Sequence, residues 1–290
     1  MKNRILFLIL YLPSFLIAQE NQNMDKEGSY ILTDFSYQND AIFLGRRDSI
    51  STPYLSSSLG YYNRSGLFVD ASMSYLTKSN ENRIDLVLAS FGYRFGSNKF
   101  TGVLSGTKYF FNDKSYNVQS EIEGDFSAVL SYDFGILEAS LISSSYFSKN
   151  TNPDFFLGAQ IAKSLFLIHK RLLIKPTFNS IAGSQYFYQE YYRYNRIGSR
   201  KGNTTGQNQQ TVTKALVIDE VSKFSLLNIE ISLPIQYYYK SILFSFSPKW
   251  AFPQTNATIT TADTTTKESL NNIFYWSAGI SFWFNTKKDK

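Results

Sequence analysis

Three carboxylates stand at alternate positions of the stretch "EIEGDFSAVLSYD", namely Glu121, Glu123 and Asp125. Alternate side chains of a β-strand share one face, so these groups would lie about 7 Å apart along one wall. Carboxylates at that spacing could select cations or bind Ca²⁺. The sequence favours the alternative that they pair with inward bases and fill a narrow interior with charge; the candidate bases are Lys108, Lys175 and Lys249.

The residues that most often carry catalysis are scarce in this chain. It has one histidine, His169, and no cysteine. Histidine is the side chain that accepts a proton near neutral pH without special tuning, but His169 lies in the turn-like "HKR" between two strand candidates. Without cysteine there is neither a thiolate metal site nor a disulfide. We therefore expect no catalysis, no metal site and no cofactor, with a carboxylate-only mechanism as the remaining enzymatic alternative.

The carboxylates belong to a chain that alternates apolar and polar residues with the period of a β-strand. In "GLFVDASMSYL", Leu67, Val69 and Met73 alternate with Asp70, Ser72 and Ser74. In "LLNIEISLPIQ", the apolar residues alternate with Asn228, Glu230 and Ser232. About twelve segments share this pattern, and they lie near 29–37, 52–62, 66–76, 83–95, 100–111, 120–133, 136–147, 154–168, 172–185, 224–238, 242–252 and 272–284.

Short and long connections alternate between these segments. Tight turns such as "NRSG", "GSNK" and "HKR" follow every second strand, and longer segments, one of them running from Tyr186 to Lys223, follow the others. In a soluble β-sandwich nothing requires short and long connections to alternate along the chain. Transmembrane barrels show this alternation because they have short turns at one end and long loops at the other. The apolar face of each strand is then expected to contact lipid, and the polar face to line a lumen.

Composition and the N-terminus agree with an exported membrane protein. Lys2 and Arg4 precede an apolar run from Ile5 to Ile17 that ends at Ala18, the pattern of a cleavable signal peptide. Aromatic residues make up 17% of the chain, which favours interfacial girdles. The excess of 29 basic over 23 acidic residues is small and dispersed, so no nucleic-acid partner is expected.

These features resemble those of bacterial outer-membrane β-barrel proteins, and the resemblance covers about residues 29–284. The last segment, "IFYWSAGISFWF", resembles the C-terminal strand by which such barrels are recognised for assembly, although residues 285–290 follow it. The resemblance implies an all-β fold: a transmembrane, antiparallel up-and-down barrel with short periplasmic turns and long extracellular loops. It also implies a signal peptide at 1–18, a periplasmic stub at 19–28, a barrel at 29–284 and a polar tail at 285–290.

The expected location is the outer membrane of a Gram-negative bacterium, with membrane lipid, lipopolysaccharide and the barrel-assembly machinery as partners. In the longest loop, tyrosines beside an arginine could bind a glycan, lipopolysaccharide or a protein. The candidates for this binding are Tyr191, Tyr192, Arg193 and Tyr194. The alternative is an aromatic belt followed by a polar loop.

The predicted lumen-lining residues are Asp70, Ser72, Ser74, Glu121, Glu123, Asp125, Lys175, Asn228, Glu230, Ser232 and Lys249. We expect a channel or porin-like protein that passes small solutes. The alternative is a closed, charge-filled barrel that acts through its loops as a surface scaffold, an adhesion protein or part of a complex. An outer-membrane hydrolase is disfavoured because the single histidine is placed in a turn.

Overall fold

The computed structural model describes residues 28–47, 51–78, 81–148, 151–191, 217–218, 221–260 and 265–286. The signal peptide expected at 1–18, residues 19–27 of the stub and residues 287–290 of the tail lie outside the described residues. Within the described ranges, no helix is long and apolar enough to cross a bilayer.

Twelve antiparallel strands form the fold, as the alternation predicted. They are β1 (Tyr30–Gln38), β2 (Tyr54–Tyr62), β3 (Leu67–Leu76), β4 (Arg83–Gly96), β5 (Phe100–Phe111), β6 (Ile122–Asp133), β7 (Glu138–Ser148), β8 (Asp154–Ala162 and Leu165–Leu167), β9 (Leu172–Ile174 and Thr177–Gly183), β10 (Ser225–Ser232 and Ile235–Tyr239), β11 (Ile242–Pro253) and β12 (Ile273–Asn285). A short helix, α1 (Tyr186–Tyr191), follows β9. Three short strands, Val217–Ile218, Thr258–Thr260 and Thr265–Lys267, form a separate small sheet.

The sheet closes on itself. Each strand pairs with its neighbours in sequence, and β1 pairs with β12 from Tyr30↔Asn285 to Gln38↔Ser277. Closure pairs the strands of the barrel on both edges, which is the condition for a β-structure to lie in a bilayer; the extension Leu165–Leu167 of β8 pairs only with β9. The predicted all-β antiparallel barrel of twelve strands is confirmed.

The two ends of the barrel differ. Residues 63–66, 97–99, 134–137, 168–171 and 240–241 form tight turns at one end, which we call the short-turn end. The opposite, long-loop end carries the connections 39–53, 77–82, 112–121, 149–153, 184–224 and 254–272. His169 is exposed in the turn at 168–171, where the sequence placed it.

The outer face of the barrel is apolar all the way round. Each strand carries at least one exposed large apolar side chain, and examples in strand order are Phe35, Leu59, Val69, Phe91, Leu104, Phe126, Leu141, Ile161, Phe178, Ile231, Phe244 and Phe274. Aromatic pairs lie towards both ends, such as Tyr132 with Phe134 at the short-turn end and Trp250 with Phe274 at the long-loop end. An apolar band between aromatic girdles is the surface of a transmembrane barrel.

Proline interrupts the barrel wall at two positions. β9 breaks at Lys175 and Pro176, and β10 breaks at Leu233 and Pro234, because proline has no N–H for the ladder. The strands stay together there, since the Lys175 amide donates to the Pro234 carbonyl at 2.9 Å. Pro248, in contrast, lies within the continuous β11.

Adjacent residues of β2 provide a direct test of the two faces. Leu59 is exposed on the outer face, and Ser58 is buried on the inner face. Leu59→Arg should lower the free energy of unfolding in lipid by up to about 2–4 kcal/mol, because it places a charge in the apolar band. Ser58→Arg should fold like the wild type, since it places the charge on the polar inner face, where the cross-strand partners of Ser58 are Asp34 and Ser72. Urea titration of both variants in liposomes measures the difference, and equal stability of the two would contradict the assignment of faces.

Candidate functional site

The lumen wall consists largely of short hydroxyl side chains. Eight inward serines of β2, β3, β6 and β7 are buried: Ser56, Ser58, Ser72, Ser74, Ser127, Ser131, Ser140 and Ser144. Some bond across neighbouring strands, as Ser56 does with Ser74 at 3.0 Å and Ser131 with Ser140 at 2.8 Å. Serine is a short side chain, so hydroxyl groups and not large side chains line this part of the wall. All eight side chains are nevertheless buried, so the lumen is closely packed along this wall.

Two predicted lumen carboxylates, Asp70 and Asp125, are buried on this wall together with Asp34. Asp34 accepts a hydrogen bond from Ser281 at 2.6 Å. Asp125 accepts hydrogen bonds from Ser127 at 2.6 Å and from Tyr109 at 3.0 Å. The alternation that identified Asp70 was also present around Asp34, which the sequence reasoning missed.

The remaining wall carries paired charges. Lys175 donates to Glu138 at 3.3 Å, and both side chains are buried. Glu230 accepts a hydrogen bond from Tyr275, and the ammonium of Lys249 lies 5.5 Å from the centre of the Tyr275 ring. The predicted residues Lys175, Glu230 and Lys249 therefore lie in a buried network, as does Ser232, whose cross-strand partner is Lys249.

A bulge corrects the prediction that Glu121, Glu123 and Asp125 share one face. The register of β6 against β7 shifts between Ile122 and Gly124, so Glu123 is the extra residue of a β-bulge. Glu123 instead forms an ion pair at 3.6 Å with Lys108, which lies on the outer face. Glu121 precedes the strand and lies in the 112–121 connection. Only Asp125 of the three belongs to the lumen wall.

The structure also corrects the role predicted for Tyr191. This residue is a buried part of α1, packed against the apolar cluster at the long-loop end, and is not available on the surface. Tyr188 is buried in the same cluster. Tyr192, Arg193 and Tyr194 lie outside the described residues.

The connection between β1 and β2 crosses the lumen. Phe43 contacts Tyr146 of β7 and Phe156 of β8, with ring centroids 6.0 and 6.2 Å apart, and the ring of Phe187 lies 5.0 Å away. In a twelve-stranded barrel, β7 and β8 stand opposite β1 and β2. Residues 41–46, which we call the cap, therefore close the long-loop end from inside.

The cap turns tightly at its tip. Phe43 and Arg46 exchange backbone hydrogen bonds of 2.8 and 2.9 Å, and Leu44 and Gly45 between them have positive φ angles of 50° and 74°. A Cβ at position 45 would lie 2.9 Å from Oδ1 of Asn228, a predicted lumen residue. Glycine thus allows the tip to approach β10 closely.

A buried arginine fastens the cap to the opposite loops. The Arg46 side chain is 0% exposed and lies 3.7 Å from the Glu268 carboxylate. Its Nη2 donates to the Thr255 carbonyl at 2.8 Å, and its guanidinium lies 4.5 Å from the centre of the Tyr188 ring. Tyr188 in turn donates a hydrogen bond to Glu268. Removing one partner of such a buried pair would leave the other charge buried and unpaired, so the pair opposes movement of the cap. We call the Arg46–Glu268 contact the latch.

Aromatic side chains narrow the lumen at the short-turn end as well. Tyr62 stacks on Tyr30 at 5.0 Å and on Phe68 at 5.6 Å. The guanidinium of Arg94 lies 4.9 Å from the Tyr62 ring centre and donates to the Tyr30 hydroxyl at 3.2 Å. The polar part of the lumen wall therefore lies between a cap at one end and an aromatic cluster at the other.

The sequence signal for the cap was the apolar run "AIFL" inside an otherwise polar long loop. Four apolar residues in succession have no reason to face water, and all four, Ala41, Ile42, Phe43 and Leu44, are buried. The run does not by itself indicate which wall it contacts, since that depends on loops distant in sequence.

Comparisons with known proteins do not identify a family. No family model matches the chain, and no curated protein matches it. Among solved structures, "KdgM porin" matches with 7% identity and a TM-score of 0.46, covering 87% of this chain and 98% of that one. "NanC porin" matches with 9% identity and a TM-score of 0.45, covering 87% and 98%. "LpxR from Salmonella typhimurium" matches with 14% identity and a TM-score of 0.43, covering 87% and 100%.

The latch can be tested with a single cysteine, because the chain has none. Leu44→Cys should react slowly with a maleimide, since Leu44 is buried in the cap. Adding Glu268→Gln should accelerate labelling by more than about tenfold, because removing one partner of a buried ion pair costs about 3–5 kcal/mol.

Asp113→Asn provides the matched control for this experiment, since it removes one negative charge from an exposed loop position at the same end of the barrel. Labelling of Leu44→Cys should be unchanged by it. Equal labelling rates with and without Glu268→Gln would show that Arg46 does not hold the cap.

Proposed function

We propose that this chain is a porin-like channel of a bacterial outer membrane that passes small hydrophilic solutes, and that the capped barrel is its closed state. The observation that carries the proposal is the row of eight buried serines along the membrane-level lumen. A barrel built only for support would gain stability from large side chains that fill its interior, whereas short hydroxyls leave room for water and solute once the ends open.

The proposed orientation places the short turns in the periplasm and the long loops outside the cell. Transmembrane barrels of bacteria distribute their connections in this way. In this orientation the cap closes the extracellular mouth, and β12, with Phe284 near its end, is the strand presented to the assembly machinery. Membrane lipid and lipopolysaccharide are the proposed partners of the apolar band and the outer rim.

A second candidate is a closed barrel that acts as a surface scaffold. The observation that favours it is the apolar cluster at the long-loop end, where Phe43, Phe156, Phe187 and Tyr188 pack together. A dry cluster of this kind would also suit a permanently closed mouth that supports the loops above it. The two candidates differ in whether solute ever passes.

Neither candidate includes catalysis. The one histidine, His169, is exposed in a short turn, at the end of the barrel opposite the long loops. Under the proposed orientation it faces the periplasm, remote from any substrate in the outer leaflet.

Conductance separates the two candidates. The wild-type protein, shown to be folded by its heat-dependent mobility in a gel, is reconstituted in planar bilayers with KCl on both sides. A channel with a mobile cap should give discrete, transient openings, and liposomes that contain it should swell in small neutral sugars. A folded barrel that stays silent at every voltage, in liposomes that do not swell, would overturn the channel and support the scaffold.

A further inference from the structure

The acidic residues of the lumen are unevenly distributed. Asp34, Asp70 and Asp125 lie on β1, β3 and β6, and all three are buried on the inner face. Across the set β1, β2, β3, β5, β6 and β12, the strands carry a single base, Lys108, and it lies on the outer face beside Glu123. These six strands thus place carboxylates and no base on the inner face. β4, which lies between β3 and β5, adds Arg94 and also Arg83, which is paired with Asp85 at 2.9 Å.

The other lumen carboxylates are neutralised locally. Glu138 has Lys175 at 3.3 Å, and Glu230 interacts electrostatically with Lys249. Arg94 lies at the short-turn end, where its guanidinium lies over the rings of Tyr30 and Tyr62. The charge that remains along the serine row is therefore that of the three aspartates.

The hydrogen bonds to Asp34 and Asp125 come from hydroxyl groups and not from cationic side chains. Ser281 donates to Asp34, and Ser127 and Tyr109 donate to Asp125. Hydrogen bonds from neutral hydroxyls stabilise a carboxylate without cancelling its field along a narrow passage.

Asp70, in contrast to Asp34 and Asp125, has a buried carboxylate oxygen that accepts no hydrogen bond from the described part of the chain. Asp70 is 6% exposed, and its Oδ1 has no hydrogen-bond partner among the described residues. Gly60 stands opposite, and a Cβ there would lie 2.6 Å from Asp70 Oδ2. A buried carboxylate oxygen with no donor is costly unless a cation or water supplies the missing interaction.

We propose that the wall of Asp34, Asp70 and Asp125 makes the lumen a pathway for small monovalent cations, with Asp70 and its neighbour Asp34 as the contact point. The inference rests on the proposed channel function and names its solute class. Rings and rows of carboxylates select cations in narrow pores because they compensate the loss of hydration. Ser58 pairs in register with Asp34, and Ser72 pairs with Ser58, so their hydroxyls supply further oxygens at the same level.

The test is the reversal potential in planar bilayers with a KCl gradient across the membrane. The wild type should reverse at a voltage of the sign set by K⁺, and Asp34→Asn/Asp70→Asn should shift the reversal potential towards zero. Asparagine keeps the size and the hydrogen-bonding oxygen of each residue, so the barrel should fold. Ser58→Arg tests the same point independently, since it places a positive charge between the two aspartates and should move the reversal potential further towards the Cl⁻ value.

Glu123→Gln is the matched control, because it removes one carboxylate from the outer face and should leave the reversal potential unchanged. A conducting wild type that prefers Cl⁻ or shows no preference would overturn the cation pathway and leave the channel intact. The same holds if Asp34→Asn/Asp70→Asn and Ser58→Arg both conduct with the wild-type reversal potential. A folded wild type without any current would overturn both the channel and this inference.

Discussion

The backbone hydrogen-bond ladder must close, and the rest of the molecule follows from that constraint. In a bilayer no water is present to satisfy a free strand edge, so β1 has to meet β12 and every strand needs two neighbours. Closure forces alternate residues to opposite surfaces. Apolar side chains then face outwards on all twelve strands, and the serines and carboxylates face a lumen that is shielded from lipid.

A closed barrel wall still has two open ends, and side chains inside the barrel close each of them. At the long-loop end the cap reaches the opposite wall through Phe43, and Arg46 is neutralised by Glu268 of another loop. At the short-turn end Tyr62 stacks within the wall itself. The seal at the long-loop end is formed by loop residues, through the packing of Phe43 and the Arg46–Glu268 ion pair, whereas the seal at the short-turn end is part of the strands. Movement is therefore easier at the cap, which is where the proposed channel opens.

The barrel could be predicted from the sequence because period-two alternation and the parity of connection lengths are local patterns. The residues that line the lumen were only partly predictable. The bulge at Glu123 adds one residue to β6 and turns that carboxylate outwards, which strict alternation does not reveal. The cap and the buried position of Tyr191 were not predictable, because both depend on contacts between loops that are distant in the chain. Sequence patterns encode the face of a strand but not the partner of a loop.

The most direct measurement is the bilayer current of a chain in which residues 41–47 are replaced by Gly-Ser-Gly, compared with the wild type. Asp40, whose Oδ1 accepts the Thr52 amide at 2.9 Å, is retained so that the base of the connection keeps its bond. If the cap closes a polar lumen, the replacement should convert brief openings into a steady current of larger amplitude. A folded variant with the wild-type current, or with none, would contradict the account of a capped channel.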